Sequence, residues 1–419
     1  MTATMSDIKP AFEKAARLFG TDKPLFAESA GLFIFAAALP FSVSLLQGGM
    51  LLFMAAALWR RREQGNLAGL PAELRDNPLF IPWALYLAAG FLAAVFGVNV
   101  PRSLAALNSD VFKIASFAAL CLFLKRERRE TAVKFYLAGL AATALLGICQ
   151  SAASGFTERA HGTSHHVRFG EIMVIGLALS LSGLAFPETT SARTKKTFYA
   201  IGLLTIAAIT LSQTRGAYLG AAIMFASFFI ARRPPKRTIL PFLAAAAGLV
   251  FGLSLLNAAI RNKTFSIFLG ANSMVNSAAA SPDQSVSTRL ELWKTGLTII
   301  SDRPVFGTGP ANVKELFPVY YKKAYPENIL WGSLHNIYIH QGAERGLTGL
   351  AALLFLFCMM FLTALRGFRA APSTMTLWAL SILPAWFVMN LTEISFQHVN
   401  TSYAVMLALA LSITASREK

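Results

Sequence analysis

The chain runs to 419 residues, 55% of them hydrophobic and 14% charged, with a mean hydropathy of +0.53. That composition excludes a water-soluble protein of this size and points to apolar runs of about 20 residues, the length that crosses a bilayer core. The formal charge of +17 would suit nucleic acid, but Lys and Arg gather in short blocks between apolar stretches, as orientation charge does.

The first 26 residues are polar and show no cleavable signal pattern. Within them, Ile8 to Phe19, with Lys9, Lys14 and Arg17, reads as an amphipathic segment on the inner interface. Twelve spans are predicted after it, at about 27–43, 45–59, 79–97, 104–124, 132–151, 168–186, 197–213, 215–231, 238–257, 343–365, 374–391 and 396–415. The basic blocks fall in alternate loops: Arg60 to Arg62, Lys125 to Arg129, Arg193 to Lys196, Arg232 to Arg237, then Arg366 and Arg369. By the positive-inside rule those loops and both termini are cytoplasmic. Cys121, Cys149 and Cys358 lie inside spans and are too few for a disulfide framework. The expected fold class is an all-α integral membrane protein. Its parts would be an interfacial segment 1–26, spans one to nine over 27–257, an outer loop 258–342, spans ten to twelve over 343–415 and a cytoplasmic tail 416–419.

Arg215 interrupts the apolar stretch from Phe198 to Ile230. An Arg inside a span costs at least about 2.5–3.5 kcal/mol and marks a functional site. One span over 197–231 would put the basic blocks at 193–196 and 232–237 on opposite sides, whereas two spans keep both in the cytoplasm. Arg215 is therefore expected at a tight turn on the outer face.

Two outer loops carry the remaining chemistry. Residues 152–167 hold Arg159, His161, His165 and His166, with Arg168 just beyond. The loop 258–342 is long enough to be functional in its own right. In it, Ser287 to Ile300 shows Leu290, Trp293, Leu297 and Ile300 at helical spacing, which sets Arg289 on the polar side. A Gly/Pro turn, Arg303 to Pro310, precedes a second helical segment ending near Tyr321.

The chain has no Gly-x-x-x-x-Gly-Lys-Ser/Thr loop for ATP and no His-Glu-x-x-His helix. Its six Asp are scattered at 7, 22, 76, 110, 283 and 302, without the paired carboxylates that hold Mg²⁺. No metal and no cofactor is expected. Little that is ionisable is expected inside the spans. On spacing alone, Arg289 reads equally as a solvated helix residue, and His335 as an interfacial hydrogen-bonding residue. Together, two guanidiniums and an imidazole would suit a diphosphate leaving group, held by Arg forks without a metal, and a hydroxyl deprotonated by neutral His.

The segments Thr214-Arg-Gly-Ala217, Phe306-Gly-Thr-Gly-Pro310 and Ser333-Leu-His-Asn-Ile-Tyr338 stand in an order that resembles the O-antigen ligase and polymerase superfamily. Twelve spans with one large loop between the ninth and tenth resemble its ligase branch over nearly the whole chain. The resemblance implies a GT-C-like fold in a Gram-negative inner membrane with the site facing the periplasm. The reaction it implies moves a glycan from undecaprenyl diphosphate to the lipid A–core, without metal, nucleotide or nucleic acid. His335 would activate the acceptor hydroxyl, and Arg215 and Arg289 would bind the diphosphate. Arg159, Arg168, His166 and Tyr321 would extend the substrate contacts or anchor the interface, and Glu393 or His398 would be alternative bases. A polymerase using a lipid-linked acceptor would employ the same residues. A lipid-linked sugar transporter would instead show its charges near the membrane midplane.

Overall fold

The structure is a computed structural model that describes residues 22–186, 191–258, 260–262, 284–321 and 331–417, with the side chains of 284–286 left out. The expected amphipathic segment at 8–19 lies outside the described residues. All regular structure among the described residues is helical, and the chain is an integral membrane protein. Each of the twelve predicted stretches falls on a helix. In chain order these are α1 (Lys23–Ala38) and α2 (Val43–Glu63), the short α3 (Leu70–Arg75), then α4 (Phe80–Val95), α5 (Val100–Phe123) and α6 (Arg126–Ala153). They continue as α7 (His166–Leu184), α8 (Ala192–Ser212), α9 (Arg215–Ala231) and α10 (Lys236–Leu256). The long loop contributes α11 (Gln284–Asp302) and α12 (Val313–Tyr320), and α13 (Ile337–Ala370), α14 (Thr374–Met389) and α15 (Val399–Ser416) complete the chain. Seven of them, α2, α5, α6, α7, α10, α13 and α15, are long and apolar enough to cross a membrane.

Caps explain where several helices begin. Asp22 accepts from Leu25 N at 2.9 Å, Asn99 from Arg102 N at 3.2 Å, and Ser373 forms a capping box with Thr376. α7 and α15 are buried on nearly every side, as central helices that are apolar all round must be. Around them, α1 packs on α2, α8 on α7 and α9 on α14. The α1–α2 pair meets through Gly31 and Gly49, where an added Cβ would strike the partner backbone, the small-residue contact that lets membrane helices approach.

α13 is two helices joined across a kink. Gly346 has φ 65° and ψ −172°, a conformation that only glycine adopts readily. The break frees carbonyls that the Gly/Pro turn fills: Thr308 N donates to Ala343 O at 3.0 Å and Gly309 N to Glu344 O at 2.8 Å. Ala311 N donates to the Glu344 carboxylate at 2.8 Å. Non-helical backbone at this position is therefore covered by protein, as a membrane requires. The break falls inside the predicted tenth span, 343–365. Gly346→Ala forces an L side chain into this conformation and into Val305 O, so it should destabilise by about 3 kcal/mol. Thermal unfolding in detergent checks this, and an unchanged Tm would overturn it.

Two expectations are corrected. Leu290 and Leu297 of α11 are exposed, and its packed face is Leu292, Gly296 and Ile299, which meet Leu334 and Ile339. The helix turns this face inward because Gly296 lets α11 close on α13, and the helical spacing fits either face. The spans also hold more ionisable groups than expected. Glu28 is buried between Arg60 and Arg128, and Asp110 pairs with Arg345 beside Lys113. These charges are tolerated where they are because each carboxylate meets a cation inside the bundle.

Candidate active site

The α8–α9 connection is a two-residue turn. Gln213 caps α8 in the left-handed conformation at φ 50°, which reverses the chain within one residue. Thr214 then donates from Oγ1 to His166 O at 3.2 Å, and Leu211 O accepts from Ala160 N at 2.9 Å. These bonds fix the turn against the start of α7 and the 157–161 segment. Arg215 is the first residue of α9 and half-buried, as the two-span reading expected. Its neighbour Gly216 lies against Thr392, where a Cβ would come within 2.7 Å of the hydroxyl. Arg215 thus starts its helix beside the α14–α15 loop.

That loop carries Glu393. His335 Nδ1 lies 2.9 and 3.1 Å from its two carboxylate oxygens. The imidazole is placed from both sides of the chain: Ser333 Oγ accepts from His335 N at 3.1 Å, and Asn336 Oδ1 caps α13 by accepting from Tyr338 N and Ile339 N. Ile337 N donates to Asn390 O at 2.9 Å, which ties this segment to the end of α14, and Trp331 meets the ring edge-on at 5.5 Å. The backbone of His335 itself has φ 47°, an uncommon conformation for a side-chain-bearing residue and one that clusters at functional sites. The His335 side chain is 25% exposed and that of Glu393 only 7%.

Burial alone would raise the Glu393 carboxyl. The hydrogen bond from His335 and the electrostatic influence of His335, His398 and Arg289 instead hold it below the usual carboxylate range. A charged Glu393 can only accept, so Nδ1 is the donor and the lone pair rests on Nε2, an assignment made from the hydrogen-bond network. Arg289 is half-buried and within electrostatic reach of both Glu393 and His166.

Beside this pair the 152–167 loop surrounds a cavity of about 450 Å³, lined by Glu158, Arg159, His161, Ser164, His165 and His166. Arg159 Nη1 lies 2.8 Å from His166 Nε2, and the rings of His165 and His166 are 3.9 Å apart. Burial pushes His165 below its ordinary value. Glu393 opposes that shift, while Arg168, Arg159 and His335 add to it. Arg168 is exposed on the first turn of α7. Tyr321 packs differently: it stacks on Phe317 at 4.8 Å in the small core of the long loop. Among the described residues no three His, Cys, Asp or Glu side chains come together as a metal site.

The pairing of His335 with Glu393, 58 residues apart, was not legible from spacing. Glu171 is fully buried on α7, with His398 Nδ1 at 4.0 Å. The one sequence signal for Glu171 was a carboxylate within an apolar helix, which in a membrane rarely lacks a reason.

An imidazole held by a buried carboxylate thus stands near arginines at one end of a helical bundle, and the family that part of the chain matches implies a membrane glycosyltransferase-like enzyme. Residues 200–354 match the family described as O-Antigen ligase. Over that segment, a little more than a third of the chain, the protein is similar to the O-antigen ligase family. The matched segment contains Arg215, Arg289 and His335, and ends before Glu393. An uncharacterized protein of Haemophilus influenzae is 23% identical over 294 residues, which cover 67% of this chain and 71% of that protein.

Proposed function

We propose that the protein is an O-antigen ligase of a Gram-negative inner membrane. In this reading both termini are cytoplasmic, and residues 258–342 form a periplasmic loop that brings Arg289 and His335 to the outer face. The donor is an undecaprenyl-diphosphate-linked glycan and the acceptor a hydroxyl of the lipid A–core. The observation that carries the reading is the His335–Glu393 pair with Arg289 in electrostatic reach.

His335 Nε2 takes the proton of the acceptor hydroxyl while Glu393 stabilises the imidazolium that forms. The oxygen attacks the anomeric carbon from the face opposite the leaving group, which inverts that centre. The anomeric C–O bond to the diphosphate breaks, and its electron pair leaves with the phosphate oxygen. Arg215 and Arg289 neutralise that developing charge, as guanidinium forks do for phosphate. Arg159 and Arg168 meet anionic parts of either substrate, and His166, which burial keeps neutral, adds a hydrogen-bonding contact.

The test is transfer by purified protein from undecaprenyl-diphosphate glycan to lipid A–core, together with the lipopolysaccharide of a deletion strain. The expected results are transfer that survives EDTA and a strain with unmodified core. Core bearing single repeat units would assign a polymerase instead, and no transfer by folded protein would reject the enzyme reading.

A further inference from the structure

At the other end of the bundle, away from His335, lies a cavity of about 520 Å³ between the end of α2, the 64–69 turn and the α5–α6 junction. Its charged lining is Arg60, Arg61, Lys125 and Glu73. Arg61 is tied to Glu73 by two hydrogen bonds of 2.6 Å. Arg60 is buried and turns to Glu28, which it shares with Arg128: Arg60 Nη2 stands at 3.1 Å and Arg128 Nη1 at 2.9 Å from the same carboxylate oxygen. Two guanidiniums therefore share one buried carboxylate. Lys125 feels Glu28 and Glu127 at a distance but makes no ion pair among the described residues. Burial pushes its ammonium below the ordinary lysine value, and Arg60 and Arg128 add to that effect.

Within the lining and its direct ion pairs, four cations face two carboxylates. A partly desolvated surplus of positive charge is costly unless an anion joins it. The rest of the wall is mixed: Gln64 and Asn66 are polar, while Ala68, Leu122 and Phe123 form an apolar side, with Arg61 5.6 Å over the Phe123 ring. Just outside, Leu58 and Trp59 of α2 are exposed. Exposed Trp beside Arg60 to Arg62 is the pattern of a membrane–water interface. The segment Leu67–Arg75 runs at 88° to α4, so it crosses the bundle end as an interfacial element would. A cationic chamber with an apolar side at headgroup depth matches one chemistry, a phosphodiester attached to acyl chains.

We propose that this chamber binds the phosphate headgroup of an anionic phospholipid of the cytoplasmic leaflet, with Lys125 and Arg60 meeting the phosphate and Leu122 and Phe123 the glycerol backbone. Basic pockets between spans on this face hold such headgroups, and the ligand supplies the negative charge the chamber lacks. The site is remote from the transfer chemistry and stands whether or not that reading holds.

The test uses the full chain in phosphatidylcholine nanodiscs, with or without phosphatidylglycerol. Phosphatidylglycerol should raise Tm by about 4 °C, since a ligand that binds only the folded state stabilises it by mass action. Lys125→Gln should lose about half of that rise and Lys125→Glu all of it. Inorganic phosphate added to detergent-solubilised protein should leave Tm unchanged. A rise with inorganic phosphate alone would assign a soluble anion and overturn the lipid. An equal rise in wild type and Lys125→Glu would overturn the site. Should Lys125→Glu fail to fold, Lys125→Gln carries the comparison. Native mass spectrometry of the wild type provides a second measurement: preferential retention of phosphatidylglycerol over phosphatidylcholine is expected, and equal retention rejects the proposal.

Discussion

His335→Ala should lower kcat for glycan transfer by about 10³-fold or more, and Glu393→Gln by about 10²–10⁴-fold, while both proteins remain folded. The two losses have different origins. Removing the imidazole removes the proton acceptor. Glu393→Gln keeps the shape but replaces a charge that accepts from Nδ1–H by a neutral amide, so the ring loses both its tautomer and the stabilisation of its imidazolium. In the double variant the losses should not add, because the pair acts as one unit. The pH dependence follows from the depressed Glu393 carboxyl. Its folded value lies below the unfolded one, so its contribution to stability is fully present above the unfolded carboxylate value and is lost as pH falls through the folded value. Acid unfolding of the wild type should therefore lie at higher pH in Glu393→Gln, as read by a pH titration of intrinsic fluorescence. Steady-state kinetics with a fixed donor checks the rates, and near-wild-type activity of His335→Ala would move the base to another residue.

What the chain revealed in advance was mostly what a membrane imposes. Apolar length located the helices, and basic blocks divided 197–231 into two spans around Arg215, where the structure places the Gln213–Thr214 turn. The motif order placed His335 just before α13. Contacts made across the fold were not legible. Glu393 stands in a loop with no periodic pattern, and only tertiary packing carries it to His335. The inward face of α11 was mistaken because Leu290, Trp293 and Leu297 repeat as well as Leu292 and Ile299 do, so Gly296 and its partner decide the register. The buried ion pairs were missed because their partners lie on helices far apart in sequence. Asp110 and Arg345 are 235 residues apart, and neither shows its partner in local sequence.

The buried ion pairs also bear on the transporter reading. Intramembrane charges mark a transport path when they line a cavity that substrate can reach. Here Asp110 and Arg345 are both buried, with Arg345 over Tyr86 at 4.6 Å and Lys113 donating to Phe396 O at 2.8 Å. These contacts brace α5, α13 and the α14–α15 loop. The same loop presents Glu393, so the charges inside the membrane support the site at its end.

Arg289→Ala and Arg215→Ala should each reduce kcat by about 10²–10³-fold, the loss expected when one donor to a developing oxyanion is removed. Their effects on KM should differ from those on kcat. Charge on the bridging phosphate oxygen grows only as the anomeric bond breaks, so a guanidinium aimed at that oxygen acts in the transition state more than on bound donor. Lysine at either position keeps one positive charge but loses the planar fork, and should recover only part of the rate. Arg289 has a further effect: its positive charge helps hold the Glu393 carboxyl down. Removing it should therefore move the acid limb of the pH–rate profile as well as the rate, since a less stabilised Glu393 carboxylate protonates at higher pH and releases the His335 ring sooner as acid is added. The measurement is kcat across a pH series for both variants. An unmoved acid limb in Arg289→Ala would show that Arg289 acts on the donor alone, and undiminished rates in either would remove that residue from the diphosphate site.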